Sequence, residues 1–177
     1  MTINIRHAKT EDSSAIATVH IASWHETYRG LLPDDLLDNL RHDDRANLWV
    51  EIIALNAQYP MNAQFVAEVE GTIVGFGSCG QGRSKDCLEA GYQGEISTLY
   101  VLKNHQNLGL GSEIFSQMTK HLLANEITTA SLWVLDTNVH ARCFYEKRGG
   151  VSFGERTDDH RGCSTTEISY GWRDLTQ

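Results

Sequence analysis

The segment Gln106-Asn107-Leu108-Gly109-Leu110-Gly111, followed by Ser112, sets two glycines where a helix should begin. Glycine costs about 1 kcal/mol against alanine inside a helix, so its use there asks for a reason. A helix start leaves backbone N–H groups unpaired and carries partial positive charge. Without side chains at Gly109 and Gly111, a bulky anion can approach those groups closely. The chemistry indicated is recognition of a phosphate-bearing ligand; the alternative is a helix start crowded by a neighbouring element. No Lys-Ser or Lys-Thr follows the glycines, so the segment is not built to hold a γ-phosphate with Mg²⁺. A second pattern, G-x-G-x-x-G at Gly75, Gly77 and Gly80, imitates a dinucleotide fingerprint. That fingerprint needs a helix directly after it, and "SCGQGRSKD" has no helical period. These glycines read instead as a bulged or closely approached strand.

Composition removes other chemistries. The four cysteines, Cys79, Cys87, Cys143 and Cys163, form no C-x-x-C pair, which argues against a zinc site or a disulfide framework. Reduced thiols in a cytoplasmic protein are expected. The eight histidines include no H-x-x-x-H pair, and no metal is expected. A formal charge of −8 disfavours nucleic acid, because phosphate backbones select for Lys and Arg; it is compatible with a cationic small molecule. No stretch approaches the roughly 20 apolar residues of a membrane span. "MTINIRHAKTEDS" lacks the apolar core of a secretory signal.

The elements that must position these residues follow from periodicity. "INIRHA" alternates and reads as a strand. Thr10 can cap a helix that runs to about Tyr28, and Pro33 suits a new helix start. "DDRANLWVEIIALNA" is a second helical run. "AQFVAEVEGTIVGFGSC" is a hairpin turning at Glu70-Gly71, and "GQGRSKDCLEAGYQG" reads as a loop. Gly94–Val101 is a fourth strand. The helix after it carries Leu110, Ile114, Phe115, Met118 and Leu122 on one face. "TASLWVLD" is a fifth strand, "NVHARCFYEKRG" a helix, and "GVSFGER" and "STTEISYGW" two last strands. The strand–helix–strand unit around the glycines forms a crossover. The order predicts one domain over 1–177, with a mixed sheet covered by helices on its faces.

Two segments together resemble the GNAT superfamily of acyl-CoA-dependent N-acetyltransferases. Val101-Leu102-Lys103-Asn104-His105-Gln106-Asn107-Leu108-Gly109-Leu110-Gly111 is similar to the family's V-x-P-x-x-Q/R-x-x-G-x-G/A, with Lys103 in place of proline. "NVHARCFYEKRG" meets every fixed position of N-x-x-A-x-x-F-Y-x-x-x-G, and Gly150 stands where an aromatic is usual. "ASWHETYRGLLPDD" resembles an N-terminal W-x-x-x-Y-R-G-L-x-P stretch of one bacterial branch. The resemblance implies an α/β, largely antiparallel sheet of about seven strands, splayed between strands 4 and 5 and flanked by about four helices.

It also implies acetyl-CoA as co-substrate, with its pyrophosphate on the N–H groups of Asn107, Leu108, Gly109, Leu110, Gly111 and Ser112. Gln106 belongs to the same motif. The pantetheine arm would pair with backbone of the Leu99-Tyr100-Val101 stretch, and the Leu99 N–H would steady the oxyanion of the reacting carbonyl. Asn138 would cap its helix and touch CoA. Tyr145 would protonate the leaving thiolate, since a phenol stays protonated at neutral pH. Glu95 is the candidate base toward the amine, which arrives mainly protonated; the alternative is an ordinary edge carboxylate. Trp24 and Tyr28 share a helix face and form either an aromatic wall for the acceptor or part of the core. The expected partner is a small-molecule amine, and a homodimer is compatible. Two other readings remain: a protein or peptide N-terminal acetyltransferase, and a non-catalytic acyl-CoA sensor.

Overall fold

The computed structural model describes residues 1–160 and 163–176. Seven strands form one sheet: β1 (Ile3–His7), β2 (Ala63–Val69), β3 (Thr72–Gln81), β4 (Gly94–Val101), β5 (Ala130–Leu135), β6 (Val151–His160) and β7 (Cys163–Trp172). Their spatial order is β1-β2-β3-β4-β5-β7-β6. Every pairing is antiparallel except β4 with β5. The helices are α1 (Ser13–Tyr28), α2 (Asp34–Asp38), α3 (His42–Ala54), α4 (Lys85–Glu89), α5 (Leu110–Ala124) and α6 (Val139–Glu146). α4 lies inside the segment expected to be a loop. Five residues are too few to display a helical period, and only Cys87 of that helix is buried.

The β2–β3 hairpin turns at Glu70 (φ 49°) and Gly71 (φ 77°). Two consecutive positive φ values match the twist that a two-residue hairpin needs. Each sheet face has its own core. α5 lays Leu110, Ile114, Phe115, Met118 and Leu122 on one face, with Phe65, Ile96, Leu132 and Tyr145. α1 and α3 cover the other with Ile16, Val19, Trp49 and Ile53 against Val66 and Phe76.

The G-x-G-x-x-G residues lie within β3. A Cβ on Gly77 would stand 2.6 Å from Ile114 Cγ2 and 3.0 Å from Met118 Sδ. The glycine therefore lets α5 settle against the sheet. Gly77→Val is expected to destabilise by about 1–3 kcal/mol through overpacking. Each kcal/mol lowers Tm by roughly 2–4 °C in a chain of this size. Thermal unfolding checks this, and an unchanged Tm would mean that α5 can retreat without cost.

The parallel contact is short. β4 and β5 share only the pairs Gly94↔Ala130 and Glu95↔Ser131, and then part. β4 also carries an extra residue: Thr98 opposes Ser78 and Ile96 opposes Cys79, leaving Ser97 unopposed. Such a bulge bends a strand and sharpens its twist. The bend and the brief pairing together open the sheet.

Candidate active site

A cleft of about 430 Å³ fills the opening between β4 and β5. Leu102 N–H donates to Val74 O on β3. Peptide groups alternate direction along a strand, so Leu99 and Val101 turn theirs away from β3 and toward the gap. Gln106 Nε2 donates to Val101 O at 3.0 Å and so pins the loop that follows the strand.

That loop delivers the start of α5. Asn107 (φ 62°) and Gly109 (φ 81°) are left-handed, a conformation that costs a glycine little. Glu113 N–H donates to Gly109 O, and among the described residues no side chain caps the helix. The N–H groups of Leu110, Gly111 and Ser112 have no acceptor among the described residues. Gly111 has a second use: a Cβ there would stand 3.3 Å from Phe144 Cε2, so α6 crowds the helix start. Crowding thus accounts for Gly111, and the left-handed backbone for Gly109.

α6 begins at Asn138, whose side chain accepts from Ala141 N–H at 3.2 Å. The helix carries Tyr145 to the cleft wall, 8% exposed. The tyrosine hydroxyl makes no hydrogen bond among the described residues. Burial, reinforced by the nearby Tyr28, raises its pKa well above the ordinary phenol range. It stays protonated at neutral pH. Arg148, just past the helix, lies with its guanidinium 3.5 Å from the Phe144 ring centre. It donates to Phe144 O and to Ser112 Oγ. Burial lowers its pKa. A cation beside a helix N-terminus adds positive potential where the helix already supplies it, which suits a multiply charged anion.

Most of the residues singled out from sequence meet here. Tyr28, Leu99, Tyr100, Val101, Gln106, Asn107, Gly109, Leu110, Gly111, Ser112, Asn138 and Tyr145 all line the cleft. Three do not. Leu108 points outward, 42% exposed. Trp24 sits behind the wall, its ring 5.3 Å from those of His20 and Tyr28. Glu95 lies beside the cleft and accepts from Arg83 N–H at 3.0 Å and Arg83 Nη2 at 2.7 Å. Ser97, which does line the cleft, donates to Glu95 Oε1 at 3.3 Å. Tyr28 and Tyr100 join their hydroxyls at 3.1 Å. Thr27, Trp133, Arg148 and Glu167 also line the cleft, and periodicity could not reveal them. Among the described residues no three His, Cys, Asp or Glu side chains cluster as a metal site.

Residues 20–150 match the acetyltransferase (GNAT) family. The uncharacterized N-acetyltransferase YuaI of Bacillus subtilis is 30% identical over 175 residues, covering 98% of this chain and 95% of that protein. The fold is shared with PaiA N-acetyltransferase from Thermoplasma acidophilum, solved in complex with coenzyme A. There the TM-score is 0.73 at 19% identity, over 95% of this chain and 98% of that one. YncA of Salmonella typhimurium, a putative acetyltransferase solved with its cofactor acetyl-CoA, gives a TM-score of 0.72 at 19% identity. That match covers 99% of this chain and 95% of the other.

Proposed function

Because this chain belongs to the acetyltransferase (GNAT) family, we propose that the cleft between β4 and β5 transfers the acetyl group of acetyl-CoA to a small-molecule primary amine. That the protein is an acetyl-CoA-dependent N-acetyltransferase follows from the family; the acceptor class and the residue roles are the proposal. One observation carries it: an uncapped helix start, the free peptide edge of β4 and an unpartnered buried tyrosine face a single cleft.

The residues fit the co-substrate chemically. Leu110, Gly111 and Ser112 offer three N–H donors to its pyrophosphate, and Arg148 adds a charged fork that can grip phosphate oxygens. Val101 and Leu99 offer N–H groups to its extended arm, as an added strand would use them. When bound, the co-substrate supplies an activated acetyl thioester. Leu99 N–H is placed to donate to the carbonyl oxygen as it gains charge. Tyr145 gives its proton to the departing sulfur, whose thiol has a pKa near 8.5. The amine must lose a proton to attack. Glu95 takes it through the Ser97 hydroxyl, which joins the carboxylate to the cleft.

Glu95→Gln is expected to lower kcat about 10-fold. This is below the usual 10²–10⁴-fold for general catalysis, since water can replace a relay. The kcat–pH profile checks it, and an unchanged profile would remove Glu95 from the proton path. The test of the whole reading is a panel of primary amines and short peptides, followed by release of the CoA thiol. Turnover confined to peptides would replace the small-molecule acceptor, and no turnover with any amine would leave only acyl-CoA binding.

A further inference from the structure

We propose that Glu167 is the docking group for the acceptor's ammonium, and that acceptors are alkyl amines which arrive as cations. The inference deepens the acetyl-transfer reading of the cleft and rests on it. Among the described residues that line the cleft, Glu167 carries the only carboxylate. Its side chain is 15% exposed. It stands on β7 opposite Leu135 of β5 and Arg156 of β6. Arg156 Nε donates to Glu167 Oε2 at 2.6 Å, and Oε1 has no partner among the described residues. That oxygen can still accept from a donor brought into the cleft. An ammonium brings three donors and forms the stronger, charge-assisted kind of hydrogen bond.

The neighbours point the same way. Arg156 does not line the cleft; its guanidinium lies 4.3 Å from the centre of the Trp133 ring. The cleft therefore meets the carboxylate side of this pair. Trp133 and Tyr28 also line the cleft, and Tyr28 is close enough to feel the Glu167 charge. Aromatic faces are good neighbours for a cation. Of the positive groups on the lining, Arg148 lies at Phe144 and at Ser112 on the start of α5, and Lys147 is its chain neighbour. The cleft thus separates phosphate-binding charge from ammonium-binding charge.

The test avoids turnover. Phenethylamine is titrated by calorimetry into the protein saturated with CoA, which carries no acetyl group to transfer. Its neutral counterpart, 2-phenylethanol, is the control. Glu167→Gln is expected to weaken phenethylamine about 10- to 100-fold, the range for a hydrogen bond to a charged group. It should leave 2-phenylethanol and CoA itself unaffected. Arg156→Gln removes the other half of the pair and is expected to leave phenethylamine affinity equal or higher. With acetyl-CoA, Glu167→Gln should raise the amine KM while largely keeping kcat. The proposal is overturned if wild-type protein does not bind the amine, if Glu167→Gln binds it normally, or if Arg156→Gln weakens it as much. Failure of CoA to bind would instead sink the reading on which the proposal rests.

Discussion

Tyr145→Phe is expected to lower kcat about 10²-fold while leaving CoA affinity within about twofold. General acid roles are worth roughly 10²–10⁴-fold, and a thiolate is a fair leaving group, so the lower end applies. The substitution removes one hydroxyl and keeps the ring. That ring packs against Phe144, Trp172 and Tyr170, at centroid distances of 5.3, 6.0 and 6.5 Å. None of these contacts uses the oxygen. A cleft-lining hydroxyl that makes no hydrogen bond among the described residues contributes little to stability. Tm should therefore stay level while activity falls. Single-turnover thiol release and thermal unfolding make the comparison. A kcat unchanged under a chemistry-limited step would take Tyr145 out of the mechanism. A fall in Tm would mean that its role is structural.

Between pH 6.5 and about 4 the fold is expected to lose about 3 kcal/mol through His20. This histidine is 6% exposed on α1. It lies among Trp24, Trp49, Phe76 and Tyr100, with ring centroids 5.3 to 5.9 Å away. Its Nδ1 accepts from Trp49 Nε1 at 3.1 Å, so the neutral ring carries its proton on Nε2. Burial, with Arg45 nearby, lowers its pKa from 6.5 to about 4. The sign follows from proton counting. Above pH 6.5 both folded and unfolded forms are neutral, and the contribution is fully present. Below it the unfolded chain takes up a proton that the folded chain refuses, so stability falls until the folded form titrates near pH 4. Each pKa unit is worth about 1.36 kcal/mol. By pH 5 the loss is about 2 kcal/mol, before most carboxylates protonate. His7, lowered by burial and by His121, acts in the same direction. Urea unfolding at pH 7.5 and 5.0 measures the difference. His20→Gln should lose much less over this interval; an equal loss would place the acid sensitivity elsewhere. The effect reaches the site, because His20 stacks on Tyr100, which holds the Tyr28 hydroxyl at the cleft.

What the sequence disclosed was mostly local. The β4–α5 junction is a contiguous run whose glycines and apolar face are visible in order, and so is the Asn138–Gly149 segment that holds α6 and its tyrosine. The sheet and its mixed character followed from alternation and turn residues. What stayed hidden depends on neighbours far apart in the chain. Gly111 faces Phe144, a contact made only when α5 and α6 pack. Glu167 reaches the cleft because β7 inserts beside β5 in a register that no local pattern specifies. Glu95 shows the limit within a single strand. The extra residue at Ser97 shifts its register against β3, and its ion pair with Arg83 joins residues that no local pattern links. Gly77 belongs to a plausible nucleotide motif in sequence and to the α5 packing surface in space. Periodicity cannot separate those uses; the element that follows can.

The claim on which everything else depends is that the co-substrate lies along β4 and on the start of α5. It is tested most directly by titrating CoA into ¹⁵N-labelled protein and following assigned backbone amides. Saturable, concerted shifts are expected at Leu99, Val101, Leu110, Gly111 and Ser112, with the β1–β2 amides unmoved. Binding that leaves these five resonances in place, or no binding at all, would contradict it.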